Sequence, residues 1–390
     1  MNLTLIASRH PAAVRDALVR RGMEQSKAVA AAQGLNPVAL MLDDLTDGER
    51  DAAAGAARLQ GVECIAGADW LLLAGSASGL ASLTRSGADR VPTAILHGLG
   101  SCLHELVETP NHWTTERGRV DLTRPAVVGI LNVTPDSFSD GGKYLDPVAA
   151  LTCAEDMLAA GAGLLDLGAE STRPGRPDPV AAAAEWRRLE PVLTELARRH
   201  PSTPLSVDTV KSETAERALD AGAWIVNDVS GLRFDPRIAD VCADHGAGLV
   251  LMHSRGSFAE LATYDHATYS DVIGEVLEEL DRSLECAQAR GVRRERIVID
   301  PGLGFSKRSE HNYQVLKHMR TIASRGIPVM IGPSRKRFLG AVTGRDVPDR
   351  DVATAAACAM AYVEGASLFR VHAVELVREV LDVVNAIEEA

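Results

Sequence analysis

One loop of the chain concentrates residues that can bind a ligand. Residues 127–131 form an apolar run that predicts a buried strand, and a polar, glycine-ended loop follows over residues 132–142. The ligand-capable side chains of this loop are Asn132, Asp136, Phe138 and Asp140. Because ligands bind in the loops that follow the carboxyl ends of parallel strands, we interpret this loop as part of a binding site.

Polar residues also follow the later predicted strands. They are the Glu-Ser-Thr-Arg-Pro-Gly segment at 170–175, Asp208, Asn227 with Asp228, residues 252–255, Asp300, residues 334–336, and Arg370 with His372. If these strands are parallel neighbours, polar residues at the same end of each strand converge on a single pocket.

Taken singly, several of these residues have a structural explanation. An aspartate that ends a strand, such as Asp208 or Asp300, is often a helix N-cap, and Asp300 also suits a turn. Asn227 alone suits a turn, and His253 alone suits a satisfied structural histidine. The basic run 334–337 alone suits a solvated surface. Their common place at strand ends favours a shared pocket, because independent caps have no reason to occupy the same place in every unit.

The residue types indicate two sub-sites. Asp208, Asn227, Asp300 and Lys336 offer hydrogen-bond donors and acceptors to a flat, nitrogen-rich heterocycle. A carboxylate pairs well with the edge of an amino-pyrimidine, since hydrogen bonds to ionised groups are the stronger kind.

The second sub-site is cationic or hydroxylic. Its members are Thr172, Arg173, Arg370, His372 and Asn132. Arginines together with hydroxyl and amide donors suit an anion such as pyrophosphate. Asn132 would offer an oxygen to Mg²⁺ bound on that pyrophosphate, because this ion takes few protein ligands beside phosphate oxygens. We therefore expect Mg²⁺ as the cofactor, and the sequence has no His/Cys set with zinc spacing.

The elements that position these residues repeat along the second part of the chain. Short β-branched runs predict strands at 126–131, 163–167, 205–207, 224–227, 249–252, 297–299, 329–331 and 368–371. Amphipathic stretches between them, such as 147–160, 212–221, 271–290 and 351–364, predict helices, and a last helix is predicted at 373–390. Eight strand–helix units in this length favour a (β/α)8 barrel of the TIM type, with a doubly wound open sheet as the alternative.

Glycines mark the junctions of these units. Gly161, Gly222 and Gly246 each lie between a predicted helix and a new strand, in Ala-Gly-Ala or His-Gly-Ala. Glycine at such a place can adopt the left-handed conformation that ends a helix.

The first part of the chain predicts a separate domain. Residues 1–110 carry strand-like runs at 3–7, 38–42 and 70–74 and alanine-rich helices at 47–60 and 77–86, which predict a small α/β domain. No dense polar cluster follows a strand there, so this domain carries no readable function. Residues 111–390 form the barrel, which begins with a hairpin over 112–123 that turns at Gly118 and could plug the bottom of the barrel.

Composition excludes several classes of protein. The chain has 390 residues and a net charge of -12, which argues against a general nucleic-acid binder, because such proteins neutralise phosphates with Lys and Arg. The six cysteines are scattered without a CxxC pair, which fits reduced core residues and a cytoplasmic location. No apolar run approaches the ~20 residues of a membrane span, and we expect neither a membrane partner nor a secretory signal.

Eight motifs in order resemble dihydropteroate synthase, over residues 112–390. They are NVTPDSFSDGG at 132–142, ESTRPG at 170–175, SVDT at 206–209, NDVSG at 227–231, LMHSRG at 251–256, DPGLGF at 300–305, SRKRFLG at 334–340 and RVH at 370–372. The resemblance implies a TIM barrel that acts as a homodimer. It also implies condensation of 6-hydroxymethyl-7,8-dihydropterin diphosphate with p-aminobenzoate, which yields 7,8-dihydropteroate and pyrophosphate in folate biosynthesis and is blocked by sulfonamides.

The resemblance also implies roles for individual residues. The pterin would be bound by Asp208, Asn227, Met252, Asp300 and Lys336. The diphosphate would be bound by Asn132, Thr172, Arg370 and His372, with Mg²⁺ on Asn132. The p-aminobenzoate site would be formed by Phe138, Arg173, Pro174 and Ser334, under loops 132–142 and 170–175. The catalytic residues would be Asp140, Lys336 and Arg370, with Asp140 stabilising a cationic pterin methylene.

The chain departs from the family pattern at two positions, and three alternative functions remain open. Ala169 stands where many members have glycine, and Ser254 stands at a varied position. A methyltransferase that takes a methyl group from methyltetrahydrofolate would share the carboxylates and Asn227, but it would not require the SRK or RVH groups. A degenerate homologue would have lost site residues. A bifunctional folate enzyme would carry a larger partner domain than residues 1–110.

Overall fold

The chain is described as a computed structural model. The structure describes residues 19, 23–25, 27, 37–86, 91–96, 99, 110–134, 147–170 and 180–390. The chain divides into two compact units, Met1–Glu108 and Thr109–Ala390. No helix within these described ranges is long and apolar enough to cross a membrane.

The first unit is a small α/β domain with an antiparallel sheet. Strands β1 (Pro37–Leu42), β2 (Glu63–Ala66) and β3 (Leu71–Ser76) pair in the order β1-β3-β2. The helices Asp47–Leu59 and Ala77–Ser86 accompany them. Helix Asp47–Leu59 begins at a capping box, in which the Thr46 and Glu49 side chains each accept from the other's backbone N–H.

Most elements predicted for this unit are confirmed within about two residues at their ends, the usual uncertainty of a boundary. The predicted strand at 3–7 lies outside the described residues. Strand β2 was not predicted, because its four residues are neither uniformly apolar nor alternating, and three of them are exposed.

The second unit is a closed barrel of eight parallel strands. The strands are β6 (Ala126–Asn132), β7 (Leu164–Gly168), β8 (Leu205–Asp208), β9 (Ile225–Asp228), β10 (Gly248–Met252), β11 (Ile297–Asp300), β12 (Met330–Ile331) and β13 (Leu368–Val371). They run in the order β11-β10-β9-β8-β7-β6-β13-β12, and the bridge between Ile299 and Val329 joins the two ends of that order. The prediction of a (β/α)8 barrel is confirmed, and the open-sheet alternative is wrong.

Helices connect the strands and surround them. The α-helices of this unit are Pro147–Ala159, Ala182–Arg199, Ser212–Asp220, Arg237–His245, Val272–Ala289, Ser309–Lys317, Met319–Ala323, Arg337–Thr343, Asp351–Val363 and Val374–Glu389. Short 3-10 helices lie at Phe258–Glu260, Arg294–Arg296 and Val347–Asp349. Gly161, Gly222 and Gly246 all have positive φ after a helix, as their sequence context predicts.

An apolar layer fills the bottom of the barrel, at the amino ends of the strands. The hairpin strands β4 (His112–Thr115) and β5 (Gly118–Asp121) contribute Trp113 and Val120 to it. The barrel strands contribute interior residues that include Val128, Leu164, Ile225, Val250, Val298 and Leu368. The hairpin turns at residues 116–117, and Gly118 is the first residue of β5 rather than the turn itself, which corrects the predicted position.

Hydrogen bonds fix the hairpin in this place. The Trp113 indole Nε1 donates to the Arg296 carbonyl at 2.8 Å, just before β11, and Trp113 is 1% exposed. The Glu116 backbone N–H donates to the Gly246 carbonyl at 2.8 Å, just before β10. The hairpin therefore closes the lower end of the barrel.

Candidate active site

A cavity of about 690 Å³ opens at the carboxyl ends of the barrel strands. The residues predicted for the site that line it are Asn132, Asp208, Asn227, Met252, Asp300, Ser334, Lys336, Arg370 and His372. Six further predicted residues, Asp136, Phe138, Asp140, Thr172, Arg173 and Pro174, lie outside the described residues. Every described residue that was given a ligand-binding or catalytic role thus lies on one cavity, whereas Asp228, His253, Ser254 and Arg255, which were also expected to converge on it, do not line it.

Arg370 joins two carboxylates inside the barrel. Its Nε donates to Asp166 Oδ2 at 2.5 Å, and its Nη2 donates to Asp208 Oδ2 at 2.9 Å. The side chain of Asn227 completes the cluster, because its Nδ2 donates to Asp166 Oδ2 at 3.0 Å. The strands β7, β8, β9 and β13 each supply one member, since their inward-facing residues meet at the barrel axis.

Burial shifts the pKa values of the carboxyl groups in the cavity. Desolvation raises the pKa of Asp208, and the nearby Arg370 opposes that shift. Desolvation also raises the pKa of Asp300, while a hydrogen bond from the Gly302 backbone N–H at 2.7 Å opposes it. Neither residue is an N-cap: Asp208 pairs with Arg370, and Asp300 accepts a bond within the turn that it begins.

Lys336 reaches the cavity from the residue before the helix Arg337–Thr343. Its Nζ donates to the Leu303 carbonyl and lies 3.8 Å from the centroid of the Phe305 ring. Burial lowers the pKa of this lysine, and Asp300 opposes the shift. Gly304 leaves room for the stem, because a Cβ there would stand 2.4 Å from Lys336 Cδ.

Ser334, His372 and Asn132 form a chain of hydrogen bonds along the cavity wall. Ser334 Oγ lies 2.8 Å from His372 Nδ1, and Asn132 Nδ2 lies 3.4 Å from His372 Nε2. An amide nitrogen can only donate, so Nε2 accepts and the imidazole proton resides on Nδ1, facing the serine. This arrangement turns the Asn132 side-chain oxygen away from the imidazole.

The Ser-Arg-Lys turn is held by partners on the helix Asp351–Val363. Arg335 has a positive φ of 54°, an uncommon conformation for a residue with a Cβ. Its guanidinium donates twice to Asp351 at 2.7 Å, and its backbone N–H donates to Thr354 Oγ1 at 3.0 Å. The strain is therefore offset by a two-bond ion pair that fixes the direction of the neighbouring Lys336.

A buried lysine on the cavity wall was not predicted. Lys307 is 1% exposed, and its Nζ lies 2.7 Å from His253 Nδ1 and 3.3 Å from the carbonyls of Gly302 and Phe305. Burial lowers the pKa of Lys307 to about 7 and that of His253 to about 4. His253 Nε2 also lies 3.1 Å from Glu279 Oε2, but it makes no well-aligned hydrogen bond with any described residue, so only one ring nitrogen of this histidine is satisfied.

A second unpredicted group lies beside the start of the 170–175 motif. Lys211 Nζ donates to Glu170 at 2.5 Å and to the fully buried Glu185 at 3.1 Å. Glu170 also accepts from the Val180 backbone N–H, and Thr214 donates to Glu185 at 2.8 Å. Desolvation raises the pKa of Glu185, against the opposing charge of Lys211.

One signal in the sequence could have revealed part of these networks. Asp166 is the only charged residue in the run Leu164–Gly168, which reads as a strand buried on both faces. A charge at such a place is almost always paired, so an isolated aspartate inside an apolar strand marks a buried network. Lys211 and Lys307 gave no comparable signal, because each lies in a polar segment.

Comparisons with known proteins agree on one family. A family described as "Pterin binding enzyme" matches residues 128–372. A dihydropteroate synthase from Mycobacterium leprae is 45% identical over 268 residues, which cover 67% of this chain and 92% of that protein. One from Synechocystis is 39% identical over 265 residues, covering 68% of this chain and 90% of that protein.

Solved structures give the same result. The dihydropteroate synthase of Xanthomonas albilineans with 4-aminobenzoic acid superposes with a TM-score of 0.67 at 40% identity, over 72% of this chain and 100% of that one. The Yersinia pestis dihydropteroate synthase in a sulfonamide drug complex has a TM-score of 0.67 at 36% identity, with the same two coverages.

Proposed function

Because this chain belongs to the dihydropteroate synthase family of pterin-binding enzymes, we propose that its barrel condenses 6-hydroxymethyl-7,8-dihydropterin diphosphate with p-aminobenzoate. The products are 7,8-dihydropteroate and pyrophosphate, in folate biosynthesis. One observation supports this most: nine residues chosen for that chemistry come from seven strand ends and line one cavity. A degenerate member of the family would have lost part of this set.

The cavity has the donors and acceptors for a pterin. Asp208, Asn227 and Asp300 place oxygen atoms there, and Lys336 places an ammonium there. Met252 is 4% exposed and adds an apolar surface against which a flat ring can pack. An amino-pyrimidine presents N–H groups to the acceptors and a carbonyl oxygen to the lysine, which matches this set.

The cavity also suits the diphosphate. Arg370 lines it with N–H donors, His372 lines it too, and the family pattern adds Thr172. Arg370 remains paired with two carboxylates, so it would contribute to the diphosphate through N–H groups that those bonds do not use. A guanidinium has five N–H groups in total, including those that bond the two carboxylates.

Asn132 fits a magnesium ligand. Its side-chain oxygen is turned from the imidazole of His372, to which its Nδ2 points at 3.4 Å. No cluster of three or more His, Cys, Asp or Glu side chains that could hold a metal occurs among the residues with described positions. An ion bound here would therefore draw most of its ligands from the diphosphate and water, as Mg²⁺ commonly does, and it would neutralise charge on the leaving group.

The metal proposal has its own test. Asn132→Ala should raise the Mg²⁺ concentration required for half-maximal activity, because one protein ligand is lost. An unchanged Mg²⁺ dependence, with activity reduced at every concentration, would assign Asn132 to the diphosphate alone.

The reaction follows from these placements. The C–O bond between the pterin methylene and the diphosphate breaks, and its electron pair leaves with pyrophosphate. The amine nitrogen of p-aminobenzoate then forms a bond to that carbon and loses a proton. The protein's contribution is to orient both substrates and stabilise the departing charge, so no covalent enzyme intermediate is required.

The p-aminobenzoate site would adjoin Ser334. This hydroxyl lies on the cavity wall and is oriented by His372 at 2.8 Å. Phe138, Arg173 and Pro174 complete the site in the family pattern. In the same pattern Asp140 stabilises the cationic methylene, and Lys336 and Arg370 are the catalytic cations.

An apolar surface supports a homodimer of this chain. Val352 is 73% and Met360 is 51% exposed on the helix Asp351–Val363, and Val383 is 58% and Ile387 is 66% exposed on the adjoining helix Val374–Glu389. Val383 and Ile387 are four residues apart and Val352 and Met360 are eight apart, so each pair lies on one helix stripe, and an exposed stripe of this kind suits contact with a second copy.

Light scattering during gel filtration tests the dimer. The chain should elute with twice the mass of one copy, and Met360→Glu should shift it toward one copy. A variant that remains dimeric would exclude this surface as the interface.

The activity itself is tested by mass spectrometry of the product. Incubation with both substrates should yield 7,8-dihydropteroate, and Asp300→Ala should reduce the yield sharply, because the pterin loses a charged acceptor. Folded wild-type protein that yields no product would contradict the proposed function.

A further inference from the structure

Lys307 carries a buried charge that the function described above does not use. Its side chain is among the most deeply buried in the barrel, and its ammonium forms no ion pair with any described residue. Its hydrogen-bonding contacts are His253 Nδ1 at 2.7 Å and the carbonyls of Gly302 and Phe305, each at 3.3 Å. A buried charge is costly unless it is compensated, so the groups that these bonds hold in place indicate its use.

The surroundings of His253 indicate that Lys307 is the donor of this pair. His253 Nε2 lies 3.1 Å from Glu279 Oε2, and a carboxylate beside a ring nitrogen favours a proton on that nitrogen. The other nitrogen, Nδ1, is then an acceptor for Lys307 Nζ. Burial lowers the pKa of Lys307 to about 7 and that of His253 to about 4, so between these values the lysine is charged and the histidine is neutral.

An ammonium group matches the surroundings of Lys307 Nζ. It carries three N–H donors, and three acceptors lie within bonding distance: one ring nitrogen and two carbonyl oxygens. A neutral amine would have only two N–H donors for the same three acceptors. The charge of Lys307 is therefore used to bond the backbone of residues 302 and 305.

The two carbonyls belong to one tight turn, at residues 302–305. The Phe305 N–H donates to the Gly302 carbonyl at 3.1 Å, which closes the turn. Between them, the Gly304 N–H donates to Asn312 Oδ1 at 2.6 Å. The turn is therefore held at both ends by the buried ammonium and in its middle by an amide.

The same turn receives Lys336 through three contacts. Lys336 Nζ donates to the Leu303 carbonyl and lies 3.8 Å from the centroid of the Phe305 ring. The Lys336 stem passes Gly304, where a Cβ would stand 2.4 Å from Cδ. A change in the shape of the turn would therefore move the acceptor, the ring and the surface that hold this second ammonium.

We propose that Lys307 is a positioning residue for Lys336, because its bonds hold the turn 302–305 in the shape that places the Lys336 ammonium on the cavity wall. The inference rests on the proposed function, in which Lys336 binds the pterin. Lys307 acts through the turn and requires no contact of its own with the ligand.

A double-mutant cycle tests whether Lys307 acts through Lys336. The probe is 6-hydroxymethylpterin, titrated at pH 6, below the lowered pKa of about 7 of each lysine. Lys307→Met should raise the dissociation constant by roughly tenfold, as expected for a displaced hydrogen bond from a charged group. In the Lys336→Ala background, the same substitution should change it by less than about twofold, because no ammonium remains to be positioned.

This pattern separates positioning from a general effect on the fold. Loss of folded protein, or a direct contact between Lys307 and the probe, would weaken binding by the same factor in both backgrounds. Loss of the Lys307 charge does not explain weaker binding either. Two like charges repel, so its removal by itself favours the Lys336 ammonium.

Lys211→Met is the matched control. Lys211 is also a largely buried lysine, but its ammonium bonds Glu170 and Glu185 and makes no bond to the turn 302–305. Its effect on the dissociation constant, whatever its size, should be the same factor with Lys336 present and with Lys336→Ala.

Lys307→Gln keeps the test decisive if the methionine variant does not fold. Its amide supplies two N–H donors and an oxygen in place of three donors, so it should show the same dependence on Lys336 with a smaller weakening. Wild-type affinity in a folded Lys307 variant, or equal weakening in both backgrounds, would overturn the inference and leave the proposed function intact. A wild-type protein that does not bind the probe would overturn the proposed function, and the inference with it.

Discussion

The two ends of the barrel are built from the same eight strands and have opposite character. At the amino ends, Trp113, Val120 and the first inward-facing residues of the strands form an apolar layer under the hairpin. At the carboxyl ends, charged and polar residues, with a few apolar ones such as Met252, surround a cavity of about 690 Å³. Only a few residues along each strand separate the apolar end from the polar end.

The difference shows which end of the barrel stabilises the fold and which end holds its buried charges. The lower layer buries apolar side chains, which stabilises the barrel without any contribution from a ligand. The upper layer holds carboxylates and ammonium groups whose pKa values are shifted by burial. Such groups are retained for binding and chemistry, often at a cost in stability. Substitutions at the two ends should therefore have separable effects.

The largest expected effect is on stability, at the lower end. Trp113→Ala should lower the free energy of unfolding of the barrel by about 3–5 kcal/mol, because it empties a fully packed position and removes the bond to the Arg296 carbonyl. Activity measured at low temperature, where the barrel remains folded, should be close to that of the wild type. A loss of activity in the folded variant would show that the two ends are not independent.

The converse substitution is Lys336→Ala at the upper end. It should lower kcat/KM by roughly 100- to 1000-fold, as expected for loss of a charged donor at the ligand. The free energy of unfolding should change little, since the variant no longer has to desolvate an ammonium group. Retention of wild-type turnover would exclude Lys336 from the site.

Lys211→Met tests a charged group that serves stability at the upper end. At pH 8 it should destabilise the barrel by about 2 kcal/mol, because it leaves Glu170 and Glu185 without their cation. The raised pKa of Glu185 should rise further. A carboxyl group with a raised pKa in the folded state costs stability as the pH rises above its unfolded value, so the deficit should shrink at pH 5.

Denaturant titrations of the wild type and this variant at the two pH values provide the measurement. Lys27→Met is a matched control, since Lys27 pairs with Glu24 on an exposed surface and should show almost no effect. A deficit that is equal at both pH values would show that lost packing, not charge, causes the effect.

The smallest effect is expected from removal of residues 1–108. The second unit, Thr109–Ala390, has its own core and contains every described site residue, so kcat should stay within about twofold of the full chain. A shortened chain that folds but has lost activity would show that the first unit contributes to the site.

The barrel was predictable because its pattern repeats. All eight strands and the helices singled out beforehand occur within about two residues of their predicted ends, since apolar runs, helical periodicity and glycine stops agree with one another. The exceptions are local. Strand β2 is too short and mixed to be recognised, and the hairpin turn was placed at Gly118 because glycine is the usual turn residue.

The site was predictable where its residues follow strands, and not where they lie inside them. Asp208, Asn227 and Asp300 were identified from their position, whereas Asp166 was read as part of an apolar strand. The pairing of Arg370 with Asp166 and Asp208 joins residues 204 and 162 positions apart, and no local pattern carries such a contact. Networks of this kind form only when the barrel closes. The sequence predicts a barrel, but it does not specify which distant residues meet inside it.

The central claim is that the charged upper end of the barrel joins the two substrates. We would measure pyrophosphate release from 6-hydroxymethyl-7,8-dihydropterin diphosphate in Mg²⁺, with and without p-aminobenzoate, for the wild type and Lys336→Ala. The account predicts release that depends on p-aminobenzoate, accompanied by dihydropteroate, and nearly abolished in the variant. Folded wild-type protein that releases no pyrophosphate, or release that the variant retains in full, would contradict it.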